Sequence, residues 1–250
     1  MIELKSKEQL GRMRKAGRIV AETLELMRKM VAPGVTTEQL DRAAEDYIGK
    51  CNAIPAFKGY NGFPATLCTS INEEVVHGIP GLRALKSGDI ISIDCGAIID
   101  GYVGDSAITL PVGEISRELQ NLLAVTEESL RRGIAQVLKG NRLFDISYAI
   151  QTYVEENTMS VVRDYVGHGI GRKMHEEPQV PNFGKPGRGP RLEVGMVLAI
   201  EPMVNLGGYQ VETLENQWTV VTKDRRASAH FEHTVAITEN GPEILTRIEG

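Results

Sequence analysis

The sequence predicts an α/β fold of two duplicated halves, each with a long helix, a shorter helix and strands. Three observations lead to this prediction. A long helix pattern followed by a shorter one occurs twice, two segments of the halves align at nearly the same offset, and acidic residues interrupt apolar strands in both halves. A composition of 42% hydrophobic and 24% charged residues is typical of a globular protein.

Two helices are predicted at the start of the first half. Ser6 and Gln9 have capping-box spacing, and apolar residues follow at steps of three and four, up to a Pro-Gly pair at 33–34 that ends the helix. Thr36 and Gln39 repeat the cap before a second, shorter helix. Strand-like and irregular segments follow it.

The second half repeats this plan. The apolar spacing predicts a long helix over 115–139, which Gly140 ends, and a shorter helix that Asp145 caps. A shift of 106 residues places Gly34 on Gly140. A shift of 107 residues places LKSGDIISID, which begins at Leu85, on LEVGMVLAIE.

Two matches in the same order predict an internal duplication. We interpret the chain as a single domain, 1–250, with halves at about 1–113 and 114–250. The alternative is that any two helix–helix–strand units align loosely.

Two aspartates interrupt the apolar strands of DIISIDCGAIIDGYVGDSAITL. The Asp-Gly pair at 100–101 favours a type I′ hairpin turn, which places Gly96 opposite Asp105 and puts Asp94 on the same face. The two carboxylates are then diagonal neighbours, roughly 7 Å apart at the backbone. Because carboxylates this close repel each other, either one holds a proton or a cation lies between them.

The duplication supplies two further acids. Glu201 takes the position of Asp94, and Glu232, inside the apolar strand HFEHTVAIT, takes that of Asp105. The spacing is 11 residues in the first half and 31 in the second, so NLGGYQVETLENQW is interpreted as an inserted loop. Four carboxylates carry a charge of about −4, which two divalent ions would balance. For a single strand acid, the alternative is a solvent-facing edge residue.

Charge and cysteine content exclude several classes of protein. A net charge of −5 without a long basic run argues against a broad nucleic-acid-binding face. Three cysteines do not make a disulfide framework. The N-terminus is charged where a signal peptide would be apolar, and no apolar run approaches the roughly 20 residues of a membrane helix. A cytoplasmic protein without membrane contact is expected.

Histidines lie near the strand and loop segments around the acids. GHGIG places His168 among glycines, where backbone can approach a site closely, and His175 follows seven residues later. His77 lies in VVHGIP, a similar setting. No Gly-Lys-Ser/Thr follows the glycines, so a phosphate-binding loop is not indicated.

The chain resembles the methionine aminopeptidases, specifically the short bacterial-type form of type I. The resemblance covers essentially the whole chain and rests on five motifs in order: SINEEVVHGIP, DIISIDCGAIIDGYVGDSAIT, GHGIGRKMHEEPQV, MVLAIEPMV and HFEHTVAIT. It implies the α/β pita-bread fold of two pseudo-symmetric halves, each with helices packed on curved, mostly antiparallel strands. A dinuclear metal site would lie between the halves. It also implies metal-dependent removal of the N-terminal (initiator) methionine from nascent proteins and peptides whose second residue is small.

The metal ligands follow from the same resemblance. Asp94 would chelate one metal, His168 and Glu201 would bind the other, and Asp105 and Glu232 would bridge the two. The implied cofactors are two divalent ions per chain, and Co, Mn, Fe(II) or Zn would suit these donors. In the implied mechanism, a hydroxide that bridges the metals attacks the substrate carbonyl, and Glu201 accepts the proton from the water.

Substrate contacts are implied as well. His77 would contact the scissile nitrogen and His175 the developing oxyanion, so both are catalytic candidates together with Glu201. The methionine side chain would enter an apolar pocket made of Tyr60, Phe63, Cys68 and Trp218, and of Phe57 and Met174, which stand where some family members have a cysteine and a phenylalanine.

Partners and rival functions complete the expectations. The implied partners are the N-termini of nascent polypeptides, with a transient ribosome contact; a monomer is common in the family, and no specific nucleic acid is expected.

An aminopeptidase P or prolidase type enzyme would carry a separate N-terminal domain, for which 250 residues leave no room. A type II enzyme would carry a long helical insertion in the second half. A non-catalytic pita-bread module would have lost ligands.

Overall fold

The computed structural model describes residues 2–248. Its helices are α1 (Lys7–Met30), α2 (Thr37–Lys50), α3 (Arg117–Ala135) and α4 (Leu143–Glu156), and one 3₁₀ turn spans Tyr60–Gly62. Its strands are β1 (Ile54–Pro55), β2 (Leu67–Ile71), β3 (Glu74–Val76), β4 (Ile90–Ile99), β5 (Tyr102–Pro111), β6 (Ser160–Val161), β7 (Gly167–Gly169), β8 (Glu176–Val180), β9 (Val197–Ile200), β10 (Met203–Asn205), β11 (Val211–Thr213), β12 (Val220–Thr222), β13 (Ser228–His230), β14 (His233–Thr238) and β15 (Gly241–Ile244). The helices in this range are too short or too polar to cross a membrane.

Both helices of the first half begin where the sequence predicts. Ser6 Oγ accepts a hydrogen bond from the Gln9 N–H at 3.3 Å, and Gln9 Oε1 accepts one from the Ser6 N–H at 2.7 Å. Thr36 and Gln39 form the same pair of bonds at the start of α2. Each capping box satisfies N–H groups that the first turn leaves without helical partners. These two predictions are confirmed.

The end of α3 differs from the prediction. The helix stops at Ala135, well before Gly140. The Gln136 N–H bonds to the Gly133 carbonyl, which tightens the last turn, and the Asn141 side chain donates to the Gln136 carbonyl at 3.0 Å. Because these bonds occupy the groups that a further helical turn would need, the chain leaves the helix early.

The start of α4 also differs. Arg142, not Asp145, occupies the N-cap position. Asp145 lies in the first turn, and its Oδ2 accepts from the Arg142 N–H at 2.7 Å. The aspartate therefore fills the third position of the capping arrangement, where an acid also interacts favourably with the helix dipole.

All strand pairs in residues 2–248 are antiparallel, as the family resemblance implies. In the first half, β5 pairs along one edge of β4, and β1 and β2 pair along the other. In the second half, five strands pair in the order β15-β14-β9-β7-β8. Two smaller sheets have the orders β13-β10-β6 and β11-β12-β3.

The segment NLGGYQVETLENQW is not the loop that was predicted. It contains β11, which pairs with β12, and β12 in turn pairs with β3. Because β3 belongs to the first half, this inserted hairpin joins the two halves. It also carries Trp218, which packs against Phe63 with ring centroids 5.1 Å apart.

Each half has an apolar core. One cluster lies between α1, α2 and the β4 sheet, with Leu40, Ile91 and Ile93 fully buried. Another lies among α3, α4 and the strands of the second half, and a third cluster joins the halves. Burial of these apolar side chains is the main stabilising contribution to both halves.

Matching hydrogen bonds occur at positions that the duplication relates. The Gly34 N–H donates to the Leu85 carbonyl at 2.8 Å, and the Gly140 N–H donates to the Leu192 carbonyl at 2.9 Å. The two glycines have φ angles of +89° and +93°. These pairs favour the duplication, and the division at residue 113 stays a prediction.

Candidate metal centre

The strands β4 and β5 form the predicted hairpin. The Asp-Gly turn at 100–101 has φ angles of +52° and +74°, as a type I′ turn requires. The register pairs Asp94 with Ala107 and Gly96 with Asp105, so the predicted register is confirmed. Asp94 and Asp105 are therefore diagonal neighbours on one face.

The free edge of β5 meets the second half at the start of β14. The Glu232 N–H donates to the Ala107 carbonyl at 2.9 Å. Thr234 Oγ1 accepts from the Asp105 N–H at 3.1 Å and donates to the Asp105 carbonyl at 2.7 Å. These three bonds join the edges of the two sheets.

The five candidate ligands lie on strands or strand ends near this junction, and all five line one cavity. Asp94 is paired with Ala107, whose carbonyl accepts from the Glu232 N–H. Glu232 and Glu201 adjoin the paired residues His233 and Ile200. Two residues along these strands, Gly96 pairs with Asp105, and Ala199 pairs with both Thr234 and His168.

The strand predicted over 230–238 is interrupted at Glu232. β13 ends at His230 and β14 begins at His233. The N–H groups of Phe231 and Glu232 bond instead to carbonyls of Pro202 and Ala107. The prediction that Glu232 lies inside a strand was wrong, because these bonds to other segments replace the ladder at that point.

His168 faces the acids with the nitrogen that can bind a metal. Its Nδ1 donates to the Gly169 carbonyl at 2.9 Å, so the proton lies on Nδ1 and Nε2 keeps its lone pair. Nε2 lies 3.8 Å from Asp105 Oδ2 and 3.5 Å from Glu201 Oε1. Ligand atoms of Asp105, His168 and Glu232 all lie within 4.8 Å of one another.

Three buried carboxylate oxygens at the site have the chemistry to bind a cation. Asp94 Oδ1, Asp105 Oδ1 and Glu232 Oε1 are buried and have no hydrogen-bond partner among residues 2–248. Unpaired buried carboxylate oxygens are costly unless a positive charge compensates them. Carboxylate oxygens and one imidazole nitrogen are donors that divalent ions accept.

Burial and mutual repulsion change the proton affinity of these groups. Burial raises the pKa of Asp105 to about 7. The pKa values of Asp94, Glu201 and Glu232 are raised well above their usual range, first by burial and then by neighbouring carboxylates. Burial lowers the pKa of His168 to about 4. The acids therefore favour protonation near neutral pH unless cations neutralise them.

A cavity of about 180 Å³ opens beside the acids. Gly96 lies against two of its lining side chains, because a Cβ there would be 2.8 Å from the Phe57 ring and 3.1 Å from Met174 Cε. The apolar and aromatic side chains that line the cavity are those predicted for the pocket: Phe57, Tyr60, Phe63, Cys68, Met174 and Trp218. A glycine paired with Asp105 thus lets the pocket reach the acids.

The two predicted substrate histidines line the same cavity. His175 Nδ1 lies 2.8 Å from the Tyr60 hydroxyl, and its ring meets that of His168 at a centroid distance of 4.3 Å. His77 has a φ of +59° and packs edge-to-face on Tyr165. A left-handed conformation is uncommon outside glycine and often marks a functional position.

The chain matches the model of metallopeptidase family M24 over residues 11–239. The chain belongs to metallopeptidase family M24. It is 61% identical to a methionine aminopeptidase of Clostridium acetobutylicum over 250 residues, which is 100% of both chains. The crystal structure of methionine aminopeptidase from Thermotoga maritima, at 47% identity, matches with a TM-score of 0.98 over 99% of this chain and 100% of that one. The predicted pita-bread fold is confirmed.

A more distant structural match is the prolidase from Pyrococcus furiosus. It matches with a TM-score of 0.77 at 23% identity, over 99% of this chain and 66% of that chain. At this identity the likeness concerns the fold alone.

Two side chains at the site of this M24 protein were not assigned from the sequence. Asn61 lines the cavity, and the Asn-Gly dipeptide at 61–62 was the available signal, since it marks a turn. His230 Nε2 lies 3.8 Å from Glu201 Oε2 and 4.0 Å from Glu232 Oε2. Its proximity in sequence to Glu232 could have pointed to it.

Proposed function

We propose that this chain removes the N-terminal methionine from peptides and nascent proteins whose second residue is small, with the help of bound divalent metal ions. One observation carries the proposal: four carboxylates and one imidazole, all side chain types that bind metals, line one cavity together with apolar and aromatic side chains. The relatives named above, which are methionine aminopeptidases, support the same activity.

Two divalent ions are the proposed cofactors. Their ligands would be Asp94, Asp105, His168, Glu201 and Glu232. Such ions act as Lewis acids and lower the pKa of water, which supplies a nucleophile near neutral pH. Co, Mn, Fe(II) and Zn all suit this donor set.

Glu201 is the proposed proton acceptor. Its Oε1 lies 3.5 Å from His168 Nε2, and as a carboxylate it can accept a proton from a group bound there. It lines the cavity and therefore reaches the space where the scissile bond would lie. The same carboxyl group can return the proton to the departing amine.

His175 and His77 are the proposed substrate-binding histidines. Burial lowers the pKa of both, in His77 to about 4, so both imidazoles are neutral at physiological pH. A neutral imidazole N–H can donate to a developing oxyanion, which is the role proposed for His175, or to the scissile amide, the role proposed for His77. The Tyr60 hydroxyl orients the His175 ring.

The cavity supports a preference for methionine. Its volume of about 180 Å³ is below the roughly 300–1,000 Å³ of drug-sized sites, so it suits one side chain. Phe63 and Trp218 pack edge-to-face within it, and aromatic edges contact thioether sulfur favourably.

The substrate class implies the cellular setting. Nascent polypeptide N-termini are the proposed partners, with a transient ribosome contact, a cytoplasmic location and a monomeric enzyme. Nucleic acid and membranes have no part in the proposal.

The test measures cleavage of Met-Ala-Ser by purified protein whose metal content is determined on the same sample. We expect a chelator to abolish turnover and Mn or Co to restore it. Asp105→Asn and Glu232→Gln should each lower kcat/KM by at least about a hundredfold, because each removes a metal donor.

The matched control is Asp100→Asn on the turn of the same hairpin. Its carboxylate pairs with Lys15 at the surface, so activity should stay within about twofold. Near wild-type turnover in Asp105→Asn or Glu232→Gln would contradict the proposed ligands. Cleavage of Xaa-Pro but not Met-Ala peptides would favour a prolidase-type activity, and protein without stoichiometric metal would favour a non-catalytic module.

A further inference from the structure

The segment before α1 inserts a lysine beside the loop that carries His175. The Lys5 side chain is only 2% exposed, and its Nζ lies 2.5 Å from Glu176 Oε2. The Lys5 N–H donates to the Gly195 carbonyl at 2.7 Å. Main chain and side chain of Lys5 thus hold two different segments of the second half.

The approach of Lys5 depends on a glycine in that loop. A Cβ at Gly171 would lie 2.5 Å from Lys5 Cε and 2.8 Å from Glu176 Oε1, so a larger residue there would have to displace the pair. The Gly171 carbonyl also accepts from the Val103 N–H at 2.8 Å. Val103 belongs to β5, the strand of Asp105, so the loop is joined to the metal-binding surface on this side.

The Glu176 carboxylate connects Lys5 to the loop backbone. One oxygen accepts from Lys5, and the other accepts from the Lys173 N–H at 3.1 Å. Burial raises the pKa of Glu176, but these hydrogen bonds together outweigh it and leave the pKa below its usual value. The carboxylate therefore stays charged and fixes the turn that places Met174 and His175 at the cavity.

We propose that Lys5 is a positioning residue for the reaction: its ion pair with Glu176 holds the 171–176 loop so that His175 meets the substrate carbonyl. The inference rests on the proposed function, because it assigns His175 to the oxyanion. Lys5 itself does not touch the cavity. A buried pair that loses one partner leaves an uncompensated charge, so the loop should relax when either residue is changed.

The test compares Lys5→Met in the wild-type and His175→Ala backgrounds, on Met-Ala-Ser with saturating Mn. In the wild-type background we expect kcat to fall by about tenfold or more, since a displacement of about 1 Å can cost about a hundredfold. KM and calorimetric Mn affinity should change by less than about twofold. In the His175→Ala background, Lys5→Met should cause no further loss, because a residue that acts through His175 has nothing left to position.

A second measurement uses metal-free protein and needs no activity. Lys5→Met should shift or broaden the His175 ring signals in ¹⁵N–¹H spectra and leave those of His233 in place. Glu176→Gln keeps the shape and an acceptor for Lys173, so it should fold and show a smaller loss of the same kind. The control Lys15→Met removes an exposed partner of Asp100 and should change none of these quantities.

Three results would overturn the inference. They are an equal loss of kcat from Lys5→Met in both backgrounds, unchanged His175 signals, or kcat within twofold of wild type in Lys5→Met and Glu176→Gln. A wild-type protein that fails to cleave Met-Ala-Ser with bound metal would instead refute the proposed function, so the two failures are distinguishable.

Discussion

The contact between α1 and β5 predicts a large effect for one added methyl group. A Cβ at Gly104 would lie 2.6 Å from the backbone nitrogen of Gly17 and 2.7 Å from the carbonyl carbon of Ala16. Carbon atoms in contact are normally about 3.5–4.0 Å apart, so helix and strand must separate by about 1 Å. Backbone atoms cannot rotate away as a flexible side chain can.

Gly104→Ala should therefore lower the free energy of unfolding by about 3 kcal/mol, the upper end of the usual cost of overpacking. The residue after Gly104 is Asp105, whose backbone the separation would displace. Displacing groups that orient a metal ligand typically lowers metal affinity by about 10–100-fold, and we expect about tenfold.

The assay is urea unfolding of chelated protein, followed by calorimetric titration with Mn. The control is Gly11→Ala on the same helix, where an added Cβ has no described atom within 4 Å. Alanine is favoured over glycine in a helix interior by about 1 kcal/mol, so Gly11→Ala should stabilise the protein. Unfolding of Gly104→Ala within about 0.5 kcal/mol of wild type would refute the packing argument. Lower stability with unchanged Mn affinity would refute its link to Asp105.

Two further effects are expected. Trp218→Ala removes the partner of Phe63 in the pocket, so it should lower kcat/KM for Met-Ala-Ser by roughly tenfold and weaken discrimination against a substrate with Phe at the first position. The control Tyr209→Ala, at an exposed residue, should leave kcat/KM unchanged. Equal losses in the two variants would contradict the pocket assignment. Burial and nearby His175 lower the pKa of His77 from 6.5 to about 4. When the pH falls from 7 to 5, the unfolded chain gains a proton at His77 that the folded chain does not gain. The free energy of unfolding should therefore fall by about 2 kcal/mol because of His77. Urea unfolding of wild type and His77→Gln at both pH values checks this, and parallel pH dependences would disprove it.

Local signals predicted the parts of the fold whose geometry depends on neighbouring residues. Ser6 and Thr36 cap helices because their side chains bond within the next three residues. The Asp-Gly turn sets the register of β4 and β5, because few other residues accept two consecutive positive φ angles. Local signals failed at the end of α3, because the Asn141 side chain, which lies beyond the helix, bonds to the Gln136 carbonyl there.

The site was predicted in parts. The sequence pointed to Asp94 and Asp105 as neighbours and to Glu201 and Glu232 as their counterparts, and the structure places all four with His168 around one cavity. Their metal-binding roles stay predictions.

By itself the sequence determined the starts of α1 and α2, the β4–β5 hairpin and the presence of four acids within apolar segments, because helix caps, turn residues and the alternation of apolar and polar residues act over a few positions. Only the tertiary structure decided that Glu232 lies at a break between strands and faces Ala107 across the halves. It also decided that Gly96 leaves space for Phe57 and Met174 beside those acids. These contacts join residues far apart in the chain, and they depend on how two separately packed cores meet, which no local preference specifies.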